Sequence, residues 1–152
     1  MSVIDTALAM ENTNEAVITI DDYLFNRFLE DPYSLTPEEI NVVYIENLER
    51  EINNGGFSQF FFNSSGDNAI ETVSALKAIG ATHTAGLVQK AIDQFPDSMV
   101  PKDEDARQEL IEEIEEEAEE AWMALDQAFF EYKDDLTNLV LTYIKENRSQ
   151  FN

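Results

Sequence analysis

Few side chains in this sequence are of a type that does proton-transfer or nucleophilic chemistry, and those few are not spaced to do it. The single histidine, His83, lies in Ala81-Thr82-His83-Thr84 at the expected start of a helix, where a lone imidazole is an exposed or capping group. Serines are present, but none stands in a Ser-His-Asp pattern, and there is no cysteine for a Cys-His pair, a thiolate metal site or a disulfide. A di-iron bundle needs Glu-x-x-His on two helices, and that pattern is absent. Asp103-Glu104-Asp105 begins like a calcium loop but lacks the central glycine and the distal glutamate in register. Gly55-Gly56 is too short for a phosphate loop and follows a helical pattern rather than a strand. The expectation is a non-enzyme with no catalytic residue, no metal site and no cofactor.

What the chain has in excess is carboxylate. Between Asp103 and Glu120 eleven of eighteen residues are acidic, and Arg107 is the only base. Leu110, Ile111, Ile114, Ala118, Ala121, Trp122 and Leu125 recur at three- and four-residue steps through this block, the signature of one amphipathic helix. Its outer face is costly, because like charges four residues apart repel by a few tenths of a kcal/mol per pair. A face built only for solubility interleaves Lys or Arg, and none occurs between Arg107 and Lys133. The residues expected to meet a cationic partner are Asp103, Glu104, Asp105, Glu109, Glu112, Glu113, Glu116, Glu117, Glu119 and Glu120. A helix rises about 1.5 Å per residue, so the block carries one charge per ~2.5 Å. Duplex DNA carries one per ~1.7 Å.

Net charge is −23, beyond the magnitude of roughly 2–8 that keeps a small domain soluble. Such a molecule is repelled by nucleic acid and by anionic membranes, which leaves basic proteins and cations as partners. Adaptation to high salt is an alternative, but 43% hydrophobic residues and acids gathered in one third of the chain fit it poorly. No uncharged apolar run approaches the roughly twenty residues of a membrane span, and Met1 to Met10 do not read as a signal peptide. A cytoplasmic location is expected.

The elements that must position the acids are helical throughout. Residues 1–18 lack strong periodicity and read as a loose N-terminal arm, with residues 19–152 as one helical domain. Asp21 to Glu30 carries a short apolar stripe. Thr36-Pro37-Glu38-Glu39 is a capping box with proline in the first turn, and its helix runs to Asn53-Asn54-Gly55-Gly56. A short helix with Phe57, Phe60 and Phe61 follows. The turn Asn63 to Asp67 caps the next, which carries Ile70, Val73, Leu76 and Ile79. Thr82 caps another, the acidic helix comes after Pro101, and Asp134 or Asp135 starts the last. The fold class is all-α, a single globular domain of about six to eight helices.

The stretch around residues 53–63 has more in it than a helix end requires. Phe57, Phe60 and Phe61 share a face and read as core, while Phe62 lies off that face and is free to anchor a partner or a dimer contact. Asn53 and Asn54 read as turn formers ahead of two glycines, or as buried amides that join Gln59 in holding neighbouring loops.

Glu46, Asn53-Asn54-Gly55-Gly56-Phe57, Gln59-Phe60-Phe61, Asn63-Ser64-Ser65-Gly66 and Ala75-Leu76-x-x-Ile79-Gly80-Ala81 resemble the family of the DNA-mimic protein nineteen. Leu125-Asp126 and Tyr143-Ile144 continue the pattern, so the resemblance runs from about Pro37 to Asn147. It implies an all-helical protein, a possible homodimer, whose acidic surface imitates the DNA backbone and occupies a transcription repressor. The motif residues, among them Asn53, Asn54, Gly55, Gly56, Phe57, Gln59, Phe60 and Asn63, are structural. No contact residue carries over through them.

The leading functional expectation is an acidic binding protein that competes with DNA for a basic DNA-binding protein, a transcription regulator. The alternative is an immunity protein that plugs a basic nuclease toxin. An enzyme reading would need a concave pocket joining Asn53, Asn54, Gln59 and His83. A scaffold whose acidity is only solubilising would bind no partner through it.

Overall fold

In the computed structural model, which describes residues 2–152, apolar periodicity resolves into seven α-helices and, among the described residues, no strand. They are α1 (Val3–Leu8), α2 (Thr13–Glu30), α3 (Pro37–Phe62), α4 (Ala69–Ala78), α5 (Thr82–Ile92), α6 (Glu104–Phe130) and α7 (Leu136–Glu146). The all-α single domain expected from the sequence is what forms. Helix α3 starts at the expected capping box: the Thr36 hydroxyl accepts from the Glu39 N–H, and the Glu39 carboxylate accepts from the Thr36 N–H. Glu39 is fully buried because Arg27 of α2 also donates to it, at 2.7 Å.

The N-terminal residues are not a loose arm. Ser2 caps α1 and Asn12 caps α2, which begins eight residues before the expected Asp21. Ile4, Ala7, Ala16, Val17 and Ile20 are buried. Arg148 near the other end of the chain donates to Asp5 at 2.7 Å and to Ser2 at 3.0 Å. The turn at Met10 to Asn12 follows a helix of only six residues, so Ile4 and Ala7 lie in no window long enough to show a helical period, whereas Ala16, Val17, Ile20 and Leu24 do recur at helical steps within α2.

The double glycine interrupts α3 where one helix was expected to end and a short one to begin: Gly55 and Gly56 both have non-helical backbone. Gly56 has φ +74°, a left-handed conformation that a side chain would strain, and the helix resumes at Phe57. The orphan N–H of Phe57 donates to the Asp126 carboxylate of α6 at 2.8 Å, a cap supplied from far along the chain. A Cβ on Gly56 would lie 2.2 Å from that same carboxylate. Helix α5 is treated alike. Thr82 is its first helical residue rather than its cap, and Asp134 accepts from the Thr84 N–H and hydroxyl at 2.7 and 2.9 Å. A short 3-10 turn, Ser64–Asn68, leads into α4, which has no side-chain cap, and Ile70 faces solvent while Ala69, Thr72, Val73 and Leu76 turn inward.

Helix α6 packs on α3 and α5 through one stripe: Arg107, Ile111, Ala118, Trp122 and Phe129 are buried, with Ile114 and Leu125 partly so. Phe129 continues the stripe, and the helix runs to Phe130. Trp122 stacks against Phe61 and Phe95, with ring centres 5.2 and 5.8 Å away, and its indole N–H donates to the Ala91 carbonyl at 3.0 Å. At the other end of the stripe the guanidinium of Arg107, wholly buried, donates to the carbonyls of Phe61 (2.6 Å), Asn63 (2.9 Å), Pro101 (2.9 Å) and Lys102 (3.2 Å). Asp67 Oδ1 lies 2.8 Å from Nη2 but off the direction of an N–H bond, so it balances the charge without completing a hydrogen bond.

Gly66 closes this clamp. A Cβ there would sit 2.7 Å from the Phe61 oxygen and 2.8 Å from Arg107 Nε. Gly66→Ala should therefore cost about 1–3 kcal/mol through overpacking, and Arg107→Met about 3 kcal/mol through stranded carbonyls and an unpaired Asp67. Because both act on one clamp, the double variant should lose less than the sum. Urea unfolding of the three variants measures this, and strict additivity would mean that the two residues do not share a contact.

Candidate functional site

The ten acids expected to form the site all sit on the solvent side of α6 or at its cap, and every one is exposed. Asp103 is the N-cap, accepting from the Ala106 N–H at 2.9 Å. Glu104 and Asp105 lie in the first turn, where negative charge complements the helix dipole. The remainder follow one another along the face opposite Arg107, Ile111, Ala118 and Trp122. Among the described residues the ion pairs are Arg27–Glu39, Arg50–Asp21, Lys102–Glu71, Arg107–Asp67 and Arg148–Asp5, so no base of this chain neutralises any of the ten. Glu115 is exposed beside them and belongs to the same surface, although its spacing places it at the edge of the face. The burial of Arg107 makes the outer surface of α6 purely anionic: its one base points inward.

In the motif of residues 53–63, Asn53 and Asn54 are exposed rather than buried, and Asn63 is half-buried. They still bridge neighbours. Asn53 donates to the Tyr132 hydroxyl at 3.0 Å, and Asn54 donates to the Gln59 side-chain oxygen at 3.3 Å. Gln59 and Asn63 both donate to Glu51, at 2.8 and 3.0 Å. Glu51 is thus the acceptor that holds the two sides of the kink together, and nothing in the local pattern singled it out. His83 is exposed in the first turn of α5, and neither cavity lined by Gln59 or Asn53 includes it. Of the residues of the enzyme reading, Asn54 and Gln59 meet, but His83 is not brought to them.

A second group of acids lies apart from α6. Asp21 of α2 and Glu46 and Glu49 of α3 line a cavity of about 410 Å³ together with Arg50 and Asn53. Arg50 pairs with Asp21, and the Tyr132 hydroxyl donates to Glu49 at 3.0 Å. Asp21 Oδ1 and Glu46 Oε2 are sealed from solvent with no hydrogen-bond partner. Burial, then the nearby charges of Glu49 and Asp21, push the Glu46 carboxyl well above the usual carboxylate range. Burial also raises Glu49 and Asp21. The same surroundings lift the Tyr132 phenol to about 12. Above the ordinary carboxylate range the folded chain therefore binds a proton at Glu46 more tightly than the unfolded chain does. Stability from this group is present near the ordinary carboxylate range and is lost as pH rises through the elevated folded value. Glu46→Gln should raise the melting temperature at neutral pH and have little effect near pH 4.5. Thermal melts of both proteins across that interval test it, and a pH-independent difference would remove Glu46 as the titrating group.

Among the described residues no helix is long and apolar enough to cross a membrane, and no group of His, Cys, Asp or Glu is arranged to hold a metal ion. No curated protein and no solved structure matches the chain. A family model described as DMP19-like protein matches residues 33–147, a span that takes in α3 to α7, the kink motif and the whole acidic helix. By that match over about three-quarters of its length, the chain belongs to the DMP19-like protein family.

Proposed function

We propose that this protein is a non-enzymatic acidic binder that offers the outer face of α6 as a phosphate-like array and competes with DNA for the DNA-binding surface of a basic protein, a transcription regulator. One observation carries the reading: the ten carboxylates are all exposed and none is paired with a base of the chain. Charges left unpaired repel one another along the helix, a cost that a solubilising face would avoid. A Lys/Arg surface shaped for phosphates can accept carboxylates three or four residues apart, which lie roughly 5–6 Å from each other at Cβ. Membership of the DMP19-like family supports the same reading.

Association of this kind is fast and sensitive to salt, because attraction between the two surfaces is screened within about 8 Å at physiological ionic strength. Capture from the native lysate at low salt, followed by a salt gradient and mass spectrometry, should release a basic DNA-binding protein. Changing Glu112, Glu116, Glu119 and Glu120 together to Gln should weaken that capture roughly tenfold or more and flatten its salt dependence. The same variant should melt no lower than the parent, since Glu112/Glu116 and Glu116/Glu120 are repulsive pairs. Undiminished capture by this variant would place the binding surface elsewhere.

A further inference from the structure

Phe62 is the one phenylalanine of the kink motif that the fold leaves half in water. Phe57, Phe60 and Phe61 are fully buried, whereas Phe62 is 49% exposed. It stands on the rim of a groove of about 500 Å³ between α3 and α6, whose walls include Gly55, Ile111, Glu112 and Glu115. The rim is fixed, because the Gln108 side-chain amide donates to the Phe62 carbonyl at 2.8 Å. Gly55 keeps the far wall low: a Cβ there would strike the Gln59 side chain at 2.1 Å. Glu112 and Glu115 are exposed and have no ion-pair partner.

We propose that this groove receives one arginine side chain of a basic protein partner, its guanidinium over the Phe62 ring and forked onto Glu112 and Glu115. The proposal rests on the reading of α6 as a surface for a basic protein and names an anchor within it. The chain itself displays the arrangement elsewhere. Arg50 lies over the Phe25 ring, 4.9 Å from its centre, while its nitrogens bond Asp21 and Asn47. At Phe62 a ring and carboxylates stand together with no cation of the chain to fill the place. The planar guanidinium suits this site better than an ammonium, because it stacks on a ring face and bonds carboxylates through two N–H groups at once. The ring and Ile111 would cover the aliphatic stem. DNA phosphates offer no such apolar contact, so the groove adds selectivity that a bare charge array lacks.

Octa-arginine and octa-lysine peptides, titrated into the full chain, separate the two contributions. The parent should bind octa-arginine about threefold or more tighter than octa-lysine. Phe62→Ala should bring that ratio close to one while leaving octa-lysine affinity little changed. Phe62→Leu, which keeps apolar bulk without a ring, should do the same. Glu112→Gln with Glu115→Gln should weaken both peptides and lower the ratio, and Phe130→Ala, on another part of the surface, should preserve it. An unchanged ratio in both Phe62 variants overturns the proposal. So does a fall in mass on sedimentation of Phe62→Ala, which would show that a second copy of the chain covers the groove. Changing Glu116, Glu119 and Glu120 to Gln should weaken both peptides equally at a constant ratio. If those three changes leave both affinities intact, the reading of α6 fails instead.

Discussion

The fold depends on one buried cation. Arg107 is the only base in the acidic block, and its side chain turns away from the acids to collect the carbonyls of Phe61 and Asn63 where α3 ends, and of Pro101 and Lys102 where α6 is about to begin. The last carbonyls of a helix have no partners of their own, and they carry the negative end of its dipole. A guanidinium meets both needs at once, with five donors and a permanent charge. It also ties the two long helices together at the point where repulsion along α6 would otherwise favour its release. With Arg107 withdrawn inside, every charge left on the outer surface of that helix is negative.

The same logic recurs with the sign reversed. Asp126 caps Phe57 where α3 resumes after Gly56, and Asp134 caps Thr84 at the start of α5. In each case a side chain from α6 or the segment after it satisfies orphan backbone donors of a distant helix. These long-range caps explain why the glycines at 56 and 66 cannot carry side chains: the space is taken by Asp126 and Arg107. They also explain why a helix with so costly an outer face is held firmly. The stripe from Ile111 through Trp122 to Phe129 supplies the apolar burial, and the charged ends fix the register.

Local signals carried the sequence reading as far as they extend. The capping box at Thr36, the cap at Asp135 and the apolar stripe of α6 each lie within one or two helical turns, and each stands where it was expected. No local pattern assigns Arg107 its role, because its α3 carbonyl partners are 44 and 46 residues away. Thr82 was expected to cap α5 because the true acceptor, Asp134, is 50 residues distant. Helix α1 has only six residues and too few turns to show a period, so its order comes from contacts such as Arg148 to Asp5 rather than from its own sequence. The exposed acids of α6 were legible apart from Glu115 at the edge of the face, since amphipathic spacing decides which residues point outward. Glu51 and the groove at Phe62 were not, because both are made where two segments meet.

That division bears on how the acidic face is to be understood. The buried charges of this protein are placed for structure: Arg107 and Glu39 each face a defined set of neighbours. Of the ten acids on the outer face of α6, Asp103 caps the helix, Glu104 lies beside Gln108 and Asp105 meets the helix dipole, while the other seven face no such group. A stabilising role for the rest would require a base, a dipole or a donor within reach, and the fold supplies its bases to other acids instead. Their mutual repulsion is small per pair but has one sign throughout, so removing a few of them should relieve the helix rather than weaken it. Side chains that contribute nothing to holding a fold together, and that cost something to keep, are best explained by what they meet outside it.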